Sequence, residues 1–402
     1  MIISRSSFAG HGKYGSKWLG DNHNYIDDLE ESVLGVMKMN MFGVTLVGAD
    51  ICGFGGSYAA NVTLCTRWHQ VAAFQPFSRN HRTIDFQPQE PYMFNTTIYD
   101  GNVTYTDLMK DAIYRKYHLM RYYYTQMSQI SYGNNTYYTV YKPLFFEFPD
   151  DAGAFSDIAN NVMIGPALKT SINARSVSQP TTDFYFPAGT WCSLFEPIGE
   201  CMTFNASATK TLPSRLNESF VHLREGYVIP MQNATALKAR NVVDLQNAPV
   251  DLHVLGQYKV PGVMNWQAEG LYVNDDGLTT NLQGNVNQYV IKAQYSRTGG
   301  ETISLTIKQN MVATNFMNAQ TNCSNVNQAD FLQSIYIYNA MSFKQHDTFF
   351  VQVAYEDDIE SYQTIGTASY DATTDRIVFD GSLLKNYLCL TRVFRVLIRN
   401  LS

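Results

Sequence analysis

The sequence predicts an α/β segment on the amino-terminal side, followed by two all-β domains. The first observation is an amphipathic stretch over residues 27–41 that leads into an apolar run over residues 44–48, with the carboxylate of Asp50 just beyond it. The second is a further pair of helical patterns before residue 131. The third is a change after residue 137, where short β-branched and aromatic runs alternate with turn residues.

The first predicted helix covers residues 27–41. Its apolar residues recur at helical spacing, acidic residues occupy the first turn, and Gly43 follows its end. The apolar run over residues 44–48 is typical of a parallel strand covered on both faces. A helix that feeds a buried strand ending in a carboxylate is typical of a β/α barrel. A doubly wound sheet would give the same local patterns, so both architectures remain open at this point.

Two more helices are predicted, over residues 62–74 and over residues 106–131, the second rich in tyrosine. Beyond them, five runs have the composition of strands: residues 184–191, 226–230, 288–291, 349–353 and 393–398. We place domain boundaries near residues 137 and 236, where the composition changes. Residues 1–136 are then the α/β segment, and residues 137–236 and 237–402 are two β-sandwiches.

Composition and charge exclude several classes of partner. The chain has 402 residues, of which 45% are hydrophobic and 16% charged, and its net charge is −6. These values are typical of a globular protein. Because no basic stripe or Lys/Arg cluster occurs, we expect neither nucleic acid nor an anionic membrane as the main partner. The longest apolar stretch, residues 33–49, is interrupted by polar residues, so we expect membrane anchoring only through a segment outside this sequence.

Asparagine sequons and cysteines indicate a secretory-pathway glycoprotein that is lysosomal, secreted or at the cell surface. The Asn-X-Ser/Thr sequons begin at Asn61, Asn95, Asn102, Asn134, Asn205, Asn217, Asn233, Asn322 and Asn400. The cysteines form two local pairs and one distant pair: Cys52 with Cys65, Cys192 with Cys201, and Cys323 with Cys389. Short disulfide loops suit the local pairs, and the distant pair is either a third bridge or two free thiols. Since residues 1–5 do not resemble a signal peptide, either the secretory interpretation is wrong or the amino-terminal part of the protein lies upstream of this sequence.

Five short motifs near the start carry a resemblance to a known family. They are Ile3-Ser-Arg-Ser-Ser-Phe8, Trp18-Leu-Gly-Asp-Asn22, Gly48-Ala-Asp-Ile-Cys-Gly-Phe54, Arg67-Trp68 and Phe77-Ser-Arg-Asn-His81. In order, spacing and identity they resemble the second half of the catalytic barrel of glycoside hydrolase family 31, which includes the maltase, sucrase-isomaltase and acid α-glucosidase types. The resemblance is strong over residues 2–94, fair to about residue 235 and weak after residue 300.

The resemblance implies a fold and a reaction. Residues 1–136 would be the last strands and helices of a (β/α)8 TIM barrel, residues 137–236 the proximal β-sandwich, and residues 237–402 the distal one. The enzyme would hydrolyse terminal α-linked glucose from maltose-like oligosaccharides with retention of configuration. It would use no metal or organic cofactor.

The resemblance also assigns roles to individual residues. Asp21 matches the general acid/base, although Gly-Asp-Asn in isolation is more often a turn. The substrate-binding residues are Arg5, His81, Trp18, Phe54 and Asp50. Arg5 and His81 would donate to sugar hydroxyls, Trp18 and Phe54 would line the pocket, and Asp50 would brace the site. Cys52 and Cys65 match a disulfide beside the pocket. Considered singly, Arg5 would be a surface residue, His81 a structural one and Trp18 part of the core.

The family's nucleophile, an aspartate on an earlier barrel strand, has no counterpart in this sequence. Retaining hydrolysis requires two carboxyl groups, so we expect the second one outside this chain. The sequence then represents the carboxyl-terminal part of a longer α-glucosidase and is inactive alone. The alternative is a non-catalytic glycan-binding or scaffolding glycoprotein that descends from the same family.

Overall fold

A computed structural model describes residues 2–132, 139–246, 248–258, 265–275, 277, 286–297, 301–311, 331–343, 348–355, 358–382, 388–390 and 393–400. The chain divides into two compact units. The first comprises residues 1–116, 135–189 and 203–222, and the second comprises residues 117–134, 190–202 and 223–402.

The first unit contains short parallel strands joined by helices, as the sequence predicts. A three-stranded sheet has the order β1-β2-β3, and a second pair of strands, β4 and β5, is also parallel. Their bounds are Ile3–Ser4 for β1, Ser16–Trp18 for β2, Val47–Gly48 for β3, Asp50–Ile51 for β4 and Arg79–Asn80 for β5. Helix α1, Ile26–Met41, connects β2 to β3, and helix α2, Val62–Ala72, connects β4 to β5. Parallel strands with intervening helices are the repeating pattern of a β/α barrel.

Residues close in sequence determine where helices α1 and α2 begin and end. Asp27 and Asp28 lie in the first turn of α1, where carboxylates complement the helix dipole. Gly43 ends that segment with φ +81°, a left-handed conformation that favours glycine. Asn61 caps α2, because its side-chain oxygen accepts the backbone N–H of Leu64 at 3.1 Å. The predicted helix bounds of 27–41 and 62–74 are therefore confirmed to within two residues.

The predicted helix over residues 106–131 is wrong as a single element. The structure has two helices, α3 over Tyr105–His118 and α4 over Met120–Tyr132, separated at Leu119. The backbone carbonyl of His118 accepts the N–H of Gln232 at 3.1 Å, outside the helix. The buried Leu119 lies between the two helices, and this long-range contact to Gln232 lies at the same junction.

Residues 98–231 supply eleven further strands. A hairpin of β6, Ile98–Asp100, and β7, Val103–Thr104, precedes α3. The others are β8 Tyr141–Pro143, β9 Asn161–Ile164, β10 Leu168–Ser171, β11 Thr181–Phe186, β12 Gly189–Ser193, β13 Cys201–Phe204, β14 Ala208–Pro213, β15 Phe220–Arg224 and β16 Tyr227–Met231. In the first unit β8, β9 and β10 pair antiparallel in that order, and β11 pairs with β14 over six residue pairs.

The second unit contains an eleven-stranded sheet in the order β16-β17-β22-β25-β24-β23-β26-β21-β20-β19-β18. Its remaining strands are β17 Val250–Leu255, β18 Gln257–Tyr258, β19 Trp266–Asp275, β20 Val286–Ser296, β21 Thr302–Met311, β22 Leu332–Tyr338, β23 Thr348–Tyr355, β24 Asp358–Asp371, β25 Arg376–Asp380 and β26 Val393–Arg399. An additional parallel pairing of β16 with β19 closes the sheet on itself around one apolar core. Closure protects strand edges from unwanted pairing.

The structure confirms an α/β barrel segment followed by all-β structure. The domain boundaries near residues 137 and 236 stay predictions. Within the parts of the chain that the structure describes, no helix is long and apolar enough to cross a bilayer.

Candidate active site

The residues expected to bind substrate lie where parallel strands end. Arg5 follows β1 directly, Trp18 is the last residue of β2, and Asp21 comes three residues later. Asp50 follows β3, and His81 follows β5. Because the carboxyl ends of parallel strands meet on one face of a barrel, the fold of the first unit gathers these side chains.

Arg5 and Asp21 form an exposed ion pair. Arg5 Nη1 lies 3.4 Å from Asp21 Oδ2, and the two side chains are 61% and 45% exposed. Gly20 makes room for this contact: its φ is +99°, and a Cβ there would lie 3.0 Å from Arg5 Nε. Exposed pairs add little to stability. The Asp21 carboxylate is an accessible group that lies beside a cation.

Lys17 supports Arg5 from the interior, a contact that the sequence analysis missed. Its ammonium is buried and donates a hydrogen bond to the backbone carbonyl of Arg5. Burial, and secondarily the nearby Arg5 guanidinium, lower the pKa of Lys17. Nothing in the sequence indicated this contact. Lys17 precedes Trp18 on β2, and neighbouring strand residues point to opposite faces, so the expectation that Trp18 lines the site did not extend to Lys17.

Asp50 is fully buried and is paired with Arg79. Arg79 Nη2 donates to Asp50 Oδ1 at 2.5 Å. Burial raises the pKa of Asp50, and the Arg79 bond and charge oppose that rise; the Asp21 carboxylate raises the pKa further. The effect of Asp21 indicates that the two carboxylates lie close enough to interact electrostatically.

Arg79 is a site residue that the sequence analysis did not select. Its guanidinium lies over the Trp18 ring, 5.4 Å from the ring centroid, and over the Phe77 ring at 5.9 Å. Trp18 is partly buried, so it contributes to the core as well as to the site. The signal available in the sequence was the place of Arg79 two residues before His81 in the Phe77-Ser-Arg-Asn-His81 motif, whereas its pairing with Asp50 is visible only in the structure.

Phe54 and His81 form the aromatic part of the site. Their ring centroids are 5.1 Å apart, and His81 is exposed. The buried side chain of Gln89 supports the loop that carries Phe54, because its Nε2 donates to the carbonyls of Ile51 at 3.2 Å and Gly53 at 3.0 Å. An aromatic face and a ring nitrogen are the groups that a pyranose contacts with its C–H and O–H groups.

The predicted disulfide Cys52–Cys65 is present, and it connects the loop after Asp50 to α2. His69 Nδ1 lies 3.7 Å from Cys52 Sγ, and burial lowers the pKa of His69 to about 4. Among the described residues, Cys52, Cys65 and His69 form a group of three potential metal ligands whose ligand atoms lie within 4.8 Å of one another. Disulfide sulfurs are not thiolates, so the cluster does not have the chemistry of a metal site.

The second predicted local disulfide, Cys192–Cys201, is also present, within the second unit. Cys323 lies outside the described residues, and Cys389 is buried. The pairing of the distant cysteines therefore stays open.

Two family models match the chain. Residues 1–126 match the "Glycosyl hydrolases family 31 TIM-barrel domain", and residues 137–229 match the "Glycosyl hydrolase family 31 C-terminal domain". Together they cover more than half of the sequence.

Curated relatives agree with the family models. The chain is 33% identical to the lysosomal alpha-glucosidase of Bos taurus over 320 residues, which is 76% of this chain and 32% of that protein. It is 36% identical to the lysosomal alpha-glucosidase of Mus musculus over 58% of this chain and 24% of that protein. It is 30% identical to the intestinal sucrase-isomaltase of Homo sapiens over 74% of this chain and 15% of that protein. The chain thus spans a third or less of the length of these relatives.

A solved structure of glucosidase II alpha subunit, bound to alpha3-Glc2, resembles the fold. The TM-score is 0.77 at 18% identity, covering 99% of this chain and 39% of that chain. A GH31 dextranase of Flavobacterium johnsoniae gives a TM-score of 0.73 at 17% identity, covering 99% of this chain and 46% of that chain.

Proposed function

Because the chain belongs to glycosyl hydrolase family 31, we propose that the protein is an α-glucosidase. Its substrates are maltose-like oligosaccharides, from which it releases terminal α-linked glucose with net retention of configuration. The observation that carries this proposal is the exposed Asp21 carboxylate beside Arg5, in a loop that the adjacent Asn22 connects to Phe54 by a backbone hydrogen bond of 2.8 Å. The names of the relatives, lysosomal alpha-glucosidase and sucrase-isomaltase, support a glucoside substrate.

Asp21 acts as the general acid and then as the general base. In the first step its carboxyl group donates a proton to the glycosidic oxygen as the leaving sugar departs. In the second step the carboxylate accepts a proton from the water that attacks the sugar. Its 45% exposure leaves it open to both the leaving group and the water.

Arg5 and His81 hold the glucose ring by donating hydrogen bonds to its hydroxyls. Phe54 and Trp18 pack against the C–H face of the ring. Asp50 positions the site through its bond to Arg79 and does not transfer protons, because its side chain is fully buried.

The nucleophilic carboxylate belongs to a segment outside residues 1–402. Retaining glycosidases hold two carboxyl groups roughly 5 Å apart across the scissile bond. Asp50 does not suit this role, since a nucleophile must reach the anomeric carbon and Asp50 Oδ1 is bonded to Arg79. The isolated chain is therefore expected to lack hydrolytic activity.

The secretory pathway is the proposed location of the protein, whether lysosome, cell surface or exterior. The disulfides Cys52–Cys65 and Cys192–Cys201 support an oxidising compartment. The relatives named as lysosomal and intestinal support the same pathway.

The test is chemical rescue of Asp21→Ala in a protein of full family length. We expect the variant to lose roughly 10²–10⁴-fold in kcat/KM on maltose. The loss should be smaller on an aryl α-glucoside whose leaving group needs no proton. Added azide should restore turnover of the aryl substrate and give the α-glucosyl azide, since azide needs no general base.

Arg5→Ala is the matched control, because it removes a binding group that transfers no proton. Its loss should be similar on both substrates and should not respond to azide. If azide fails to rescue Asp21→Ala, Asp21 is not the acid/base. If the full-length wild-type protein binds maltose without hydrolysing it, the rival interpretation as a non-catalytic glycan-binding protein is correct.

A further inference from the structure

The β6–β7 hairpin and the turn before it expose apolar side chains. Tyr92 and Met93 are 66% and 46% exposed, and Ile98 and Val103 on the hairpin are 55% and 41% exposed. We call these four residues the hairpin patch. The four residues lie within one stretch of the chain, residues 92–103, and exposed apolar side chains promote association where they come together and nothing covers them.

Three sequons surround the hairpin patch, and one of them is distant in sequence. Asn95 follows the turn that carries Tyr92 and Met93, and Asn102 lies at the tip of the hairpin. Asn217 is 118 residues from Tyr99 in sequence but contacts the hairpin. Its side-chain oxygen accepts a hydrogen bond from the hydroxyl of Tyr99 at 3.1 Å. All three asparagines are exposed.

The side-chain amides of these three asparagines are available for modification. Within the described part of the chain, none of the three Nδ2 groups donates a hydrogen bond. By contrast, Asn22 and Asn24 use Nδ2 to hold loops of the candidate active site. The bond from Tyr99 to Asn217 uses the oxygen, so it is compatible with a substituent on the nitrogen.

We propose that Asn95, Asn102 and Asn217 carry N-linked glycans, and that these glycans cover the hairpin patch. The oligosaccharide comes from a lipid pyrophosphate donor. The bond between the anomeric carbon and the pyrophosphate oxygen breaks, a bond from that carbon to Nδ2 forms, and Nδ2 loses one proton as the lipid pyrophosphate leaves. A glycan is bulky and strongly hydrated, so three of them around one hairpin keep other apolar surfaces away.

Gly101 at the hairpin tip leaves space for such a group. Its φ is +55°, and no heavy atom lies within 4 Å of the position that a Cβ would occupy. The neighbouring Asn102 is exposed as well, so the hairpin tip is open to solvent.

The first measurement is glycan occupancy in protein made in a eukaryotic secretory host. Enzymatic deglycosylation in heavy-oxygen water converts each glycosylated asparagine to labelled aspartate, which peptide mass spectrometry detects. We expect label at Asn95, Asn102 and Asn217. Unlabelled peptides at these positions would overturn the proposal. This readout does not depend on glucosidase activity, so it stands apart from the proposed function.

The second measurement is self-association of the folded protein after its glycans are removed. We expect the weight-average mass from light scattering to rise by about two-fold or more as the hairpin patch is uncovered. The triple variant Asn95→Gln/Asn102→Gln/Asn217→Gln should behave in the same way, whereas Asn205→Gln, at a sequon with no described contact to the hairpin, should not.

A rescue variant separates shielding from misfolding. Adding Ile98→Lys and Val103→Lys to the triple variant places charges on the hairpin patch and should restore the mass of the glycosylated protein. If deglycosylated wild type keeps its original mass, or if the lysine variant associates as strongly as its parent, the glycans do not shield this surface.

Discussion

Asn22 holds the backbone of Asp50 with both ends of its side-chain amide. Its Nδ2 donates to the Asp50 carbonyl at 3.0 Å, and its Oδ1 accepts the Asp50 N–H at 3.1 Å. The Asn22 carbonyl also accepts the N–H of Phe54 at 2.8 Å. The loop that presents Asp21 is thereby fixed to the loop that presents Asp50 and Phe54.

Replacing Asn22 by alanine should lower both stability and activity. The N–H of the buried Asp50 loses the bond to Asn22, at a cost of about 1–3 kcal/mol, whereas the Asp50 carbonyl still accepts the N–H of Gly53 at 3.1 Å. Because the Asp21 loop is then free to move, kcat should fall more than KM rises. Denaturant unfolding and steady-state kinetics of the full-length protein measure the two effects.

Asn24→Ala is the matched control for Asn22→Ala. Asn24 also binds loop backbone, with Nδ2 donating to the carbonyls of Ser57 and Ala59. Its loss should destabilise the protein to a similar extent with a smaller effect on kcat. Equal losses of kcat in the two variants would contradict a specific role for the bonds between Asn22 and Asp50.

Replacing Arg79 by methionine should destabilise the protein in a pH-dependent manner. The variant leaves the buried Asp50 without its cation, and breaking such a pair costs about 3–5 kcal/mol. The folded-state pKa of Asp50 is raised by burial, and losing Arg79 raises it further. The folded variant therefore favours the protonated acid, so its stability relative to wild type should fall as pH rises above 4.

A double variant checks that interpretation. Asp50→Asn combined with Arg79→Met removes both charges, so the pH dependence added by Arg79→Met alone should disappear. Urea titrations at pH 4 to 8 give the comparison. A difference between Arg79→Met and wild type that is constant over this range would mean that Asp50 does not titrate in the folded variant.

Gly20→Ala should weaken substrate binding through Arg5. The substitution adds a Cβ at a φ of +99°, which costs about 1–2 kcal/mol, and places that atom 3.0 Å from Arg5 Nε. Displacing the guanidinium should raise KM for maltose several-fold. Gly101→Ala is the control, since its φ is +55° but its Cβ meets nothing. If both variants keep the wild-type KM, the position of Arg5 does not depend on Gly20.

His222→Phe should make the protein more resistant to acid. His222 is buried between aromatic rings, 5.1 Å from Phe186 and 6.0 Å from Phe220, and neither ring nitrogen has a hydrogen-bond partner among the described residues. Burial, and secondarily the charge of Lys169, lower the pKa of His222 far below its usual value. The unfolded chain therefore binds a proton below pH 6.5 that the folded chain does not.

The sign of the His222 effect follows from that difference. The free energy of unfolding keeps its full value above about pH 6.5. Below that pH it decreases by about 1.4 kcal/mol per pH unit for one such histidine. In His222→Phe this loss should be absent, so the melting temperature of the variant should rise relative to that of wild type as pH falls from 7 to 5. A difference that does not change with pH would mean that His222 is protonated in the folded protein.

The sequence by itself determined the helices α1 and α2, the strand-type runs and the local disulfides. These features depend on periodicity, capping and spacing within short segments, which the amino-acid order specifies directly. The choice of Asp21 and the other expected site residues came instead from the resemblance of short motifs to glycoside hydrolase family 31, and it stays a prediction.

Tertiary structure decided the remainder, because those features depend on contacts between distant residues. The bond from Gln232 to His118 joins residues far apart in sequence, and the bond from Tyr99 to Asn217 joins residues 118 positions apart. The position of Arg79 over Trp18 requires two strands to meet. Closure of the sheet through β16 and β19 likewise depends on strand curvature and register. Local propensity carries no information about such pairings, since each segment forms equally well without them.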